Sequence, residues 1–142
     1  MFEFLKKGLK TLKFKKNKPS PFGELEEKVM EILWKNGSGT VREVREKLKE
    51  DLAHTTVMTI LDRLYKKGYL KREKEGKGYR YFPVVSKEEF ERILTEKVLT
   101  DLIKSSPEAT IAAFEGTVEK LSKEELQKLK EIIERKTKDE EK

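Results

Sequence analysis

The sequence predicts a mainly α (α+β) fold: a winged helix-turn-helix with a small β-hairpin wing, followed by a C-terminal helical dimerisation module. Three observations predict it. Three short amphipathic helical segments lie between residues 23 and 67, a basic and aromatic hairpin follows over 69–84, and three further helix starts carry their own caps after residue 85. The boundaries that follow are a basic amphipathic N-terminal arm over 1–20, a winged-helix domain over 21–85 and a helical dimerisation domain over 86–142.

After the Pro19-Ser20-Pro21 break, Leu25, Val29, Ile32 and Leu33 recur at helical spacing until Asn36-Gly37-Ser38-Gly39 ends the pattern, so a first helix runs from about Gly23 to Lys35. Trp34 continues that stripe and is read as a packing residue. Thr40-Val41-Arg42-Glu43 is a capping box, in which hydroxyl and carboxylate satisfy orphan amide donors, and Val41, Val44 and Leu48 form the inner side of a second helix. A third helix starts near Thr55 or Thr56 with Val57, Ile60, Leu61 and Leu64 inward. It closes at Lys66-Lys67-Gly68, a cationic last turn followed by a glycine. His54 stands at its entry, as a cap or a phosphate contact.

Residues Tyr69–Lys74 and Tyr79–Val84 flank Glu75-Gly76-Lys77-Gly78, which reads as a hairpin whose glycines supply the turn. Tyr79 and Tyr81 brace this wing against the helices, with a hydroxyl-to-phosphate bond open to one of them. Ser86-Lys87-Glu88-Glu89 caps a fourth helix, Ser106-Pro107-Glu108 a fifth running to about Glu115, and Ser122-Lys123-Glu124-Glu125 a sixth. The apolar residues Phe90, Ile93, Leu94, Val98 and Leu102, with Leu126, Leu129, Ile132 and Ile133, build no obvious second core, so they are assigned to dimerisation.

Composition narrows the chemistry. Hydrophobic residues make up 35% of the chain and charged residues 42%, lean for a self-sufficient core and in keeping with a partner subunit. There is no Cys and a single His, His54, so disulfides, thiolate nucleophiles and multi-histidine metal sites are excluded, and no cofactor motif is present. The expectation is a non-enzymatic cytoplasmic protein without cofactor or metal. The net charge of +6 is unevenly spread: residues 1–20 hold seven Lys and one Glu, and residues 55–82 hold eight basic and three acidic groups, while the remainder is acidic on balance. Basic charge confined to an arm and one segment suits a protein that meets a polyanion with part of its surface.

Helical steps of about 100° per residue place Thr55, Thr59, Asp62 and Lys66 opposite the inward stripe of the third helix, flanked by Thr56, Met58 and Arg63. Such a short-chained polar face fits a DNA major groove. Thr hydroxyls can bond to bases or phosphates, Thr and Met carbons can touch thymine methyls, and Arg63 can reach a phosphate or a guanine. The adjoining wing carries Lys71, Arg72, Lys74, Lys77 and Arg80, which are read as backbone contacts. The DNA-binding set is therefore Thr55, Thr56, Met58, Thr59, Arg63, Lys66, Lys71, Arg72, Lys74, Lys77 and Arg80. The rival reading is a protein-interaction or membrane-surface adaptor built on a winged-helix scaffold, since that fold does not guarantee DNA binding.

The runs Glu24–Trp34, Thr40–Val44, His54–Leu64 and Lys66–Leu70 together resemble the penicillinase-repressor and methicillin-resistance-repressor family of transcriptional regulators, over nearly everything from residue 22 to about residue 135. The resemblance implies a homodimeric repressor that sits on a pseudo-palindromic operator, with Thr55 to Lys66 as the recognition helix and interlocked C-terminal helices. It also implies release by proteolysis, the partner being a membrane sensor-protease that detects a β-lactam. The matching bond is Ala113-Phe114, although Ala113 stands where the family's Asn is expected and a Phe packed in a dimer helix accounts for the same letters. A copper-responsive branch uses C-terminal cysteines, which this chain lacks.

The arm departs from the family. Phe2, Leu5, Leu9 and Leu12 fall at helical spacing with Lys6, Lys7, Lys10 and Lys13 on other faces, and Phe14 to Lys18 continue as a basic tether. An extra DNA-contacting arm and a helix docked on the body are the favoured uses; a membrane-surface segment is the third, and would draw a repressor from its operator.

Overall fold

The computed structural model describes residues 13–15 and 18–141, and it divides into two units, Met1–Val98 and Leu99–Lys142. In the first unit, strand β1 (Lys13–Lys15) pairs antiparallel with β2 (Lys18–Ser20). The amphipathic helix expected over residues 2–12 lies outside the described residues, whereas the stretch 14–18, expected to be a tether, overlaps these two strands. Pro19 is compatible with so short a pair because it sits in an edge strand. The Phe22 amide donates to Ser20 Oγ at 3.3 Å, leading the chain into the core.

Helix α1 (Glu24–Asn36) opens where the Gly23 amide donates to Glu26 Oε1 at 3.0 Å and ends at Gly37, whose φ of 86° closes it. Strand β3 (Gly39–Thr40) follows, then α2 (Val41–Lys47), whose start is capped by Thr40 Oγ1 accepting from the Glu43 amide at 3.2 Å. The two-residue strand β3 was not foreseen; Gly39 in it approaches its neighbours so closely that a Cβ would lie 3.0 Å from Val44 and 3.1 Å from Leu33. Helix α3 (His54–Lys66) begins one residue earlier than the expected range. Its cap position is Ala53, without a side-chain bond, so His54 is the first helical residue and not the cap.

The wing is β4 (Leu70–Glu75) and β5 (Gly78–Pro83), antiparallel, with Arg72 opposite Tyr81 and Lys74 opposite Tyr79. Gly76, at φ 61°, makes the turn possible. Strand β5 also pairs with β3, giving the sheet order β3-β5-β4, so the wing is rooted in the helix-turn-helix by a ladder on its inner edge.

The core lies between α1, α2, α3 and the wing root: Val29, Met30 and Leu33, Val44, and Val57, Leu61 and Leu64 are each at most 1% exposed, and Tyr81 is 2% exposed. The expected inward stripes hold, with Met30 added and Leu25 and Ile32 half-buried at the margin. Burying each such aliphatic side chain is worth about 1.5–3 kcal/mol, which is why the rotation of α3 about its axis is fixed.

Helix α4 (Lys87–Ser105) starts with Ser86 Oγ accepting from the Glu89 amide at 3.1 Å. The reciprocal half of that box is missing because the Glu89 carboxylate turns to Arg92. Its first half corrects one expectation. Phe90 stacks on Phe22 with ring centroids 5.3 Å apart and lies 5.1 Å from Trp34, while Ile93 and Leu94 are buried beside it. These three side chains are already covered by their own chain and present no surface to a second one; they belong to the core of the first unit. Trp34 is a packing residue as expected, donating its indole N–H to the Val85 carbonyl at 3.1 Å.

The second unit holds the end of α4, α5 (Pro107–Val118) and α6 (Lys123–Glu140). The expected caps are in place: Pro107 opens α5, and Ser122 and Glu125 form a full capping box at α6. No described residue of α5 or α6 is buried, and Leu102, Leu126, Ile132 and Ile133 are exposed while Val98 and Leu129 are half-covered. Among the described residues no helix is long and apolar enough to cross a membrane.

Because Phe90 completes the aromatic cluster of the first unit, Phe90→Ala is expected to lower its unfolding free energy by about 3–5 kcal/mol, read from urea denaturation followed by Trp34 fluorescence.

Candidate nucleic-acid interface

The outer face of α3 is set by what its inner face buries. With Val57, Ile60, Leu61 and Leu64 inward, Thr55, Thr56, Met58, Thr59, Arg63 and Lys66 all stand exposed, as the periodicity predicts. Thr59 Oγ1 donates to the Thr55 carbonyl at 2.9 Å. The remaining offering of that side chain is its methyl group and its lone pairs, suited to a thymine methyl or to an amino group on a base edge. Asp62 brings a negative charge onto this face, and both its oxygens are engaged: Oδ2 by Lys66 at 2.9 Å, one turn on, and Oδ1 by Arg72 of the wing at 3.2 Å. These partners hold the Asp62 carboxyl below its ordinary range, the Lys66 hydrogen bond contributing most.

In the wing, Lys71, Lys74 and Lys77 are exposed and form no ion pair among the described residues. The two arginines, expected as backbone contacts beside them, differ from the lysines in being engaged within the protein. Arg72 has its guanidinium carbon 3.9 Å from the centroid of the Tyr65 ring and 4.1 Å from that of Tyr79, and it donates to Asp62. Arg80 donates through Nη2 to Glu43 Oε1 at 2.9 Å, through Nε to Glu75 Oε1 at 3.0 Å and through Nη1 to Ser38 Oγ at 3.1 Å. Both guanidiniums are held inside the protein's own polar network, so the wing's free cationic charge is lysine.

The Arg80 cluster has a physical reason. Arg80 faces Thr40 across the β3–β5 ladder, so its side chain reaches the first turn of α2, where Glu43 is already drawn toward the helix start. The Arg80 hydrogen bond, more than any other contact, pulls the Glu43 carboxyl below its usual range, and the Thr40 backbone adds to it. Arg80 in turn is raised above the ordinary arginine value, first by Glu75 and then by Glu43.

Sequence reasoning missed Tyr65, which is 37% exposed and stacks on Arg72. It follows Leu64 directly and so lies off both the inward stripe and the polar face. The signal was an aromatic beside a cationic hairpin, a pattern that pairs with arginine more readily than with lysine. The Ala113-Phe114 bond falls inside α5, with both residues exposed. It belongs to the second unit.

The family model for the penicillinase repressor matches residues 22–135, the greater part of the chain and every element of the interface. The chain belongs to the penicillinase repressor family. Among relatives of this family, the transcriptional regulator BlaI of Mycobacterium tuberculosis is 44% identical over 70 residues, which cover 47% of this chain and 51% of that protein. The chain thus spans about half the length of that relative. The methicillin resistance regulatory protein MecI of Staphylococcus aureus is 27% identical over 124 residues, covering 84% of this chain and 98% of that protein. The solution structure of the DNA binding domain of the repressor BlaI matches with 34% identity and a TM-score of 0.43, over 46% of this chain and 83% of that one.

Glu43 is depressed in the folded protein, so its contribution to stability stands in full above the ordinary carboxylate value of 4.5 and is lost as pH falls below it. Urea midpoints are expected to drop between about pH 6 and about pH 3 by less in Glu43→Gln than in the parent protein.

Proposed function

We propose that this chain is a transcriptional repressor that binds a pseudo-palindromic operator in duplex DNA as a symmetric homodimer, with α3 in the major groove and the wing on the adjoining backbone. The observation that carries the reading is the juxtaposition of an exposed, short-chained, polar α3 face with three unpaired lysines in the hairpin beside it. A helix face without long obstructing side chains can approach base edges, and mobile cations at its flank can neutralise phosphates. Membership of the penicillinase repressor family, with relatives named as a transcriptional regulator and a methicillin resistance regulatory protein, supports the same reading. Within it Thr55, Thr56, Met58, Thr59 and Arg63 face the bases, and Lys66, Lys71, Lys74 and Lys77 face phosphates.

Dimerisation is assigned to the second unit. Its helices expose Leu102, Ile111, Phe114, Ile132 and Ile133 at between 42% and 71% and bury nothing of α5 or α6, a state that a second copy of the same surface would relieve. Release of the operator by proteolysis between Ala113 and Phe114 is consistent with that arrangement. A protease reads an extended strand, so cleavage there requires α5 to open locally; its own chain buries none of its side chains, and the cover to be given up is that of the second copy alone.

Binding to the chain's own promoter region, followed by gel shift against salt, tests the reading. Thr59→Ala is expected to change sequence preference. Lys74→Ala is expected to weaken specific and random duplex alike and to lower the salt slope by about one. Equal loss on both DNAs for both variants overturns the division of roles. Sedimentation of an Ile132→Asp, Ile133→Asp double variant is expected to show a monomer, with operator affinity reduced at least about tenfold through loss of the second half-site.

A further inference from the structure

The wing and α3 are joined by one side chain that belongs to neither surface. Arg72 leaves β4 with its side chain 22% exposed and lies between two aromatic rings: Tyr65, near the C-terminal end of α3, on one side and Tyr79 of β5 on the other, at 3.9 and 4.1 Å. Its Nη1 donates to Asp62 Oδ1 on α3 at 3.2 Å, and Tyr81 is the residue opposite it in the ladder. One planar guanidinium therefore touches the helix twice, at Tyr65 and Asp62, and the second wing strand at Tyr79. Every one of these groups is in the first unit.

We propose that Arg72 is a positioning residue that locks the wing at a fixed angle to α3, so that helix and hairpin meet DNA as one rigid reader, and that it contacts no phosphate itself. The inference rests on the DNA-binding reading above and deepens it. Three features of the site support the assignment. Stacking on both faces and hydrogen bonding at the edge use the planar, delocalised group of arginine; an ammonium could reproduce the charge but not the sandwich. Arg72 also neutralises Asp62, the one carboxylate on the exposed face of α3, which unpaired would repel the phosphates that Lys66 is placed to meet. Lastly, the hairpin beyond the clamp is exposed from Glu73 to Tyr79, and its direction relative to the helices is set at its root by the two-residue β3–β5 ladder, by Arg80 on one face of the sheet and by Arg72 on the other.

A rigid link between two contact surfaces raises the effective concentration of the second once the first has bound, without adding a contact. Loosening it lowers affinity while leaving the number of neutralised phosphates unchanged. That separates Arg72 from the wing lysines, whose removal lowers the salt slope.

The test compares the full-length parent protein with Arg72→Lys, Arg72→Met and the charge-conserving pair Asp62→Asn with Arg72→Met. Two measurements are made: hydrogen exchange at the amides of 70–83 in the free protein, and affinity for the promoter duplex as a function of salt. Exchange in the wing is expected to quicken in all three variants while the amides of α1 keep their protection, which shows that the unit remains folded. Affinity is expected to fall by on the order of tenfold in each, with a salt slope equal to that of the parent protein. The lysine variant is expected to give no rescue. A slope reduced by about one in Arg72→Met with full recovery in Arg72→Lys makes Arg72 a phosphate contact and overturns the proposal. So does parental affinity in the charge-conserving pair, because Arg72 would then act through the charge of Asp62 alone. Failure of the parent protein to bind duplex overturns the DNA reading, and in that event the exchange data still decide whether Arg72 fixes the wing: unchanged wing protection in all variants refutes it.

Discussion

The structure depends first on the burial of one face of α3. Val57, Leu61 and Leu64 are inaccessible and Ile60 nearly so, and together they close the space between α1, α2 and the root of the wing. Rotating the helix by a single residue, about 100°, would drive a threonine or an arginine into that space and expose an aliphatic side chain, at a cost of several kcal/mol. The outward presentation of Thr55, Thr56, Thr59 and Arg63 is therefore a consequence of core packing, and no separate device is needed to display them. The same packing sets the position of Tyr65, one step beyond Leu64, where it meets the wing.

A second layer of constraint is electrostatic and local. Segment 55–82 carries a clear excess of basic residues, and the structure divides those of the wing into two groups that the sequence does not distinguish. Arg72 and Arg80 point into polar clusters built from Asp62, Glu43, Glu75 and tyrosine rings, and they hold the sheet to the helices. Lys71, Lys74 and Lys77 lie on the same hairpin without ion-pair partners among the described residues. The distinction follows the chemistry of the side chains. A guanidinium offers a planar fork of donors that several acceptors can share, whereas an ammonium on a flexible stem is strongly hydrated and remains in solvent, able to follow an irregular phosphate backbone. Internal order in the wing thus falls to arginine and the free surface charge to lysine.

The elements most readily seen in the sequence were those with a strong local code. The stripe of α3, the Thr40 and Ser122 caps and the Gly76 turn could all be placed from spacing and capping chemistry, because each is decided within a few residues. What escaped detection was settled by contacts distant in sequence. Strand β3 is two residues long, too short for any alternation, and exists because Gly39 can pass between Leu33 and Val44 to reach β5. The role of Arg72 depends on Tyr65 and Tyr79, seven residues away on either side, and periodicity shows both arginines simply as basic. Phe90, Ile93 and Leu94 were misjudged for the same reason. An apolar stripe on a helix states that something covers it but not which chain supplies the cover, and here Phe22, Trp34 and Tyr69 of the same unit do so.

That correction bears on how the two units work together. Helix α4 is continuous from Lys87 to Ser105, and the boundary between the units falls within it, after Val98. Its first half completes the core of the winged unit, while its second half carries Leu99, Leu102 and Ile103 exposed. A cut between Ala113 and Phe114 lies well beyond the last residue of that core, so the winged unit keeps Phe90, Ile93 and Leu94 and with them its fold. The loss would fall on α6, severed from the winged unit, and on α5, where no described side chain is buried by the same chain. In the proposed repressor, inactivation by such a cut would then require no unfolding of the winged unit. On the proposed reading, two intact winged units that no longer shared a dimer would lose the effective concentration that makes a two-fold operator bind more tightly than one half-site, and the DNA would be released.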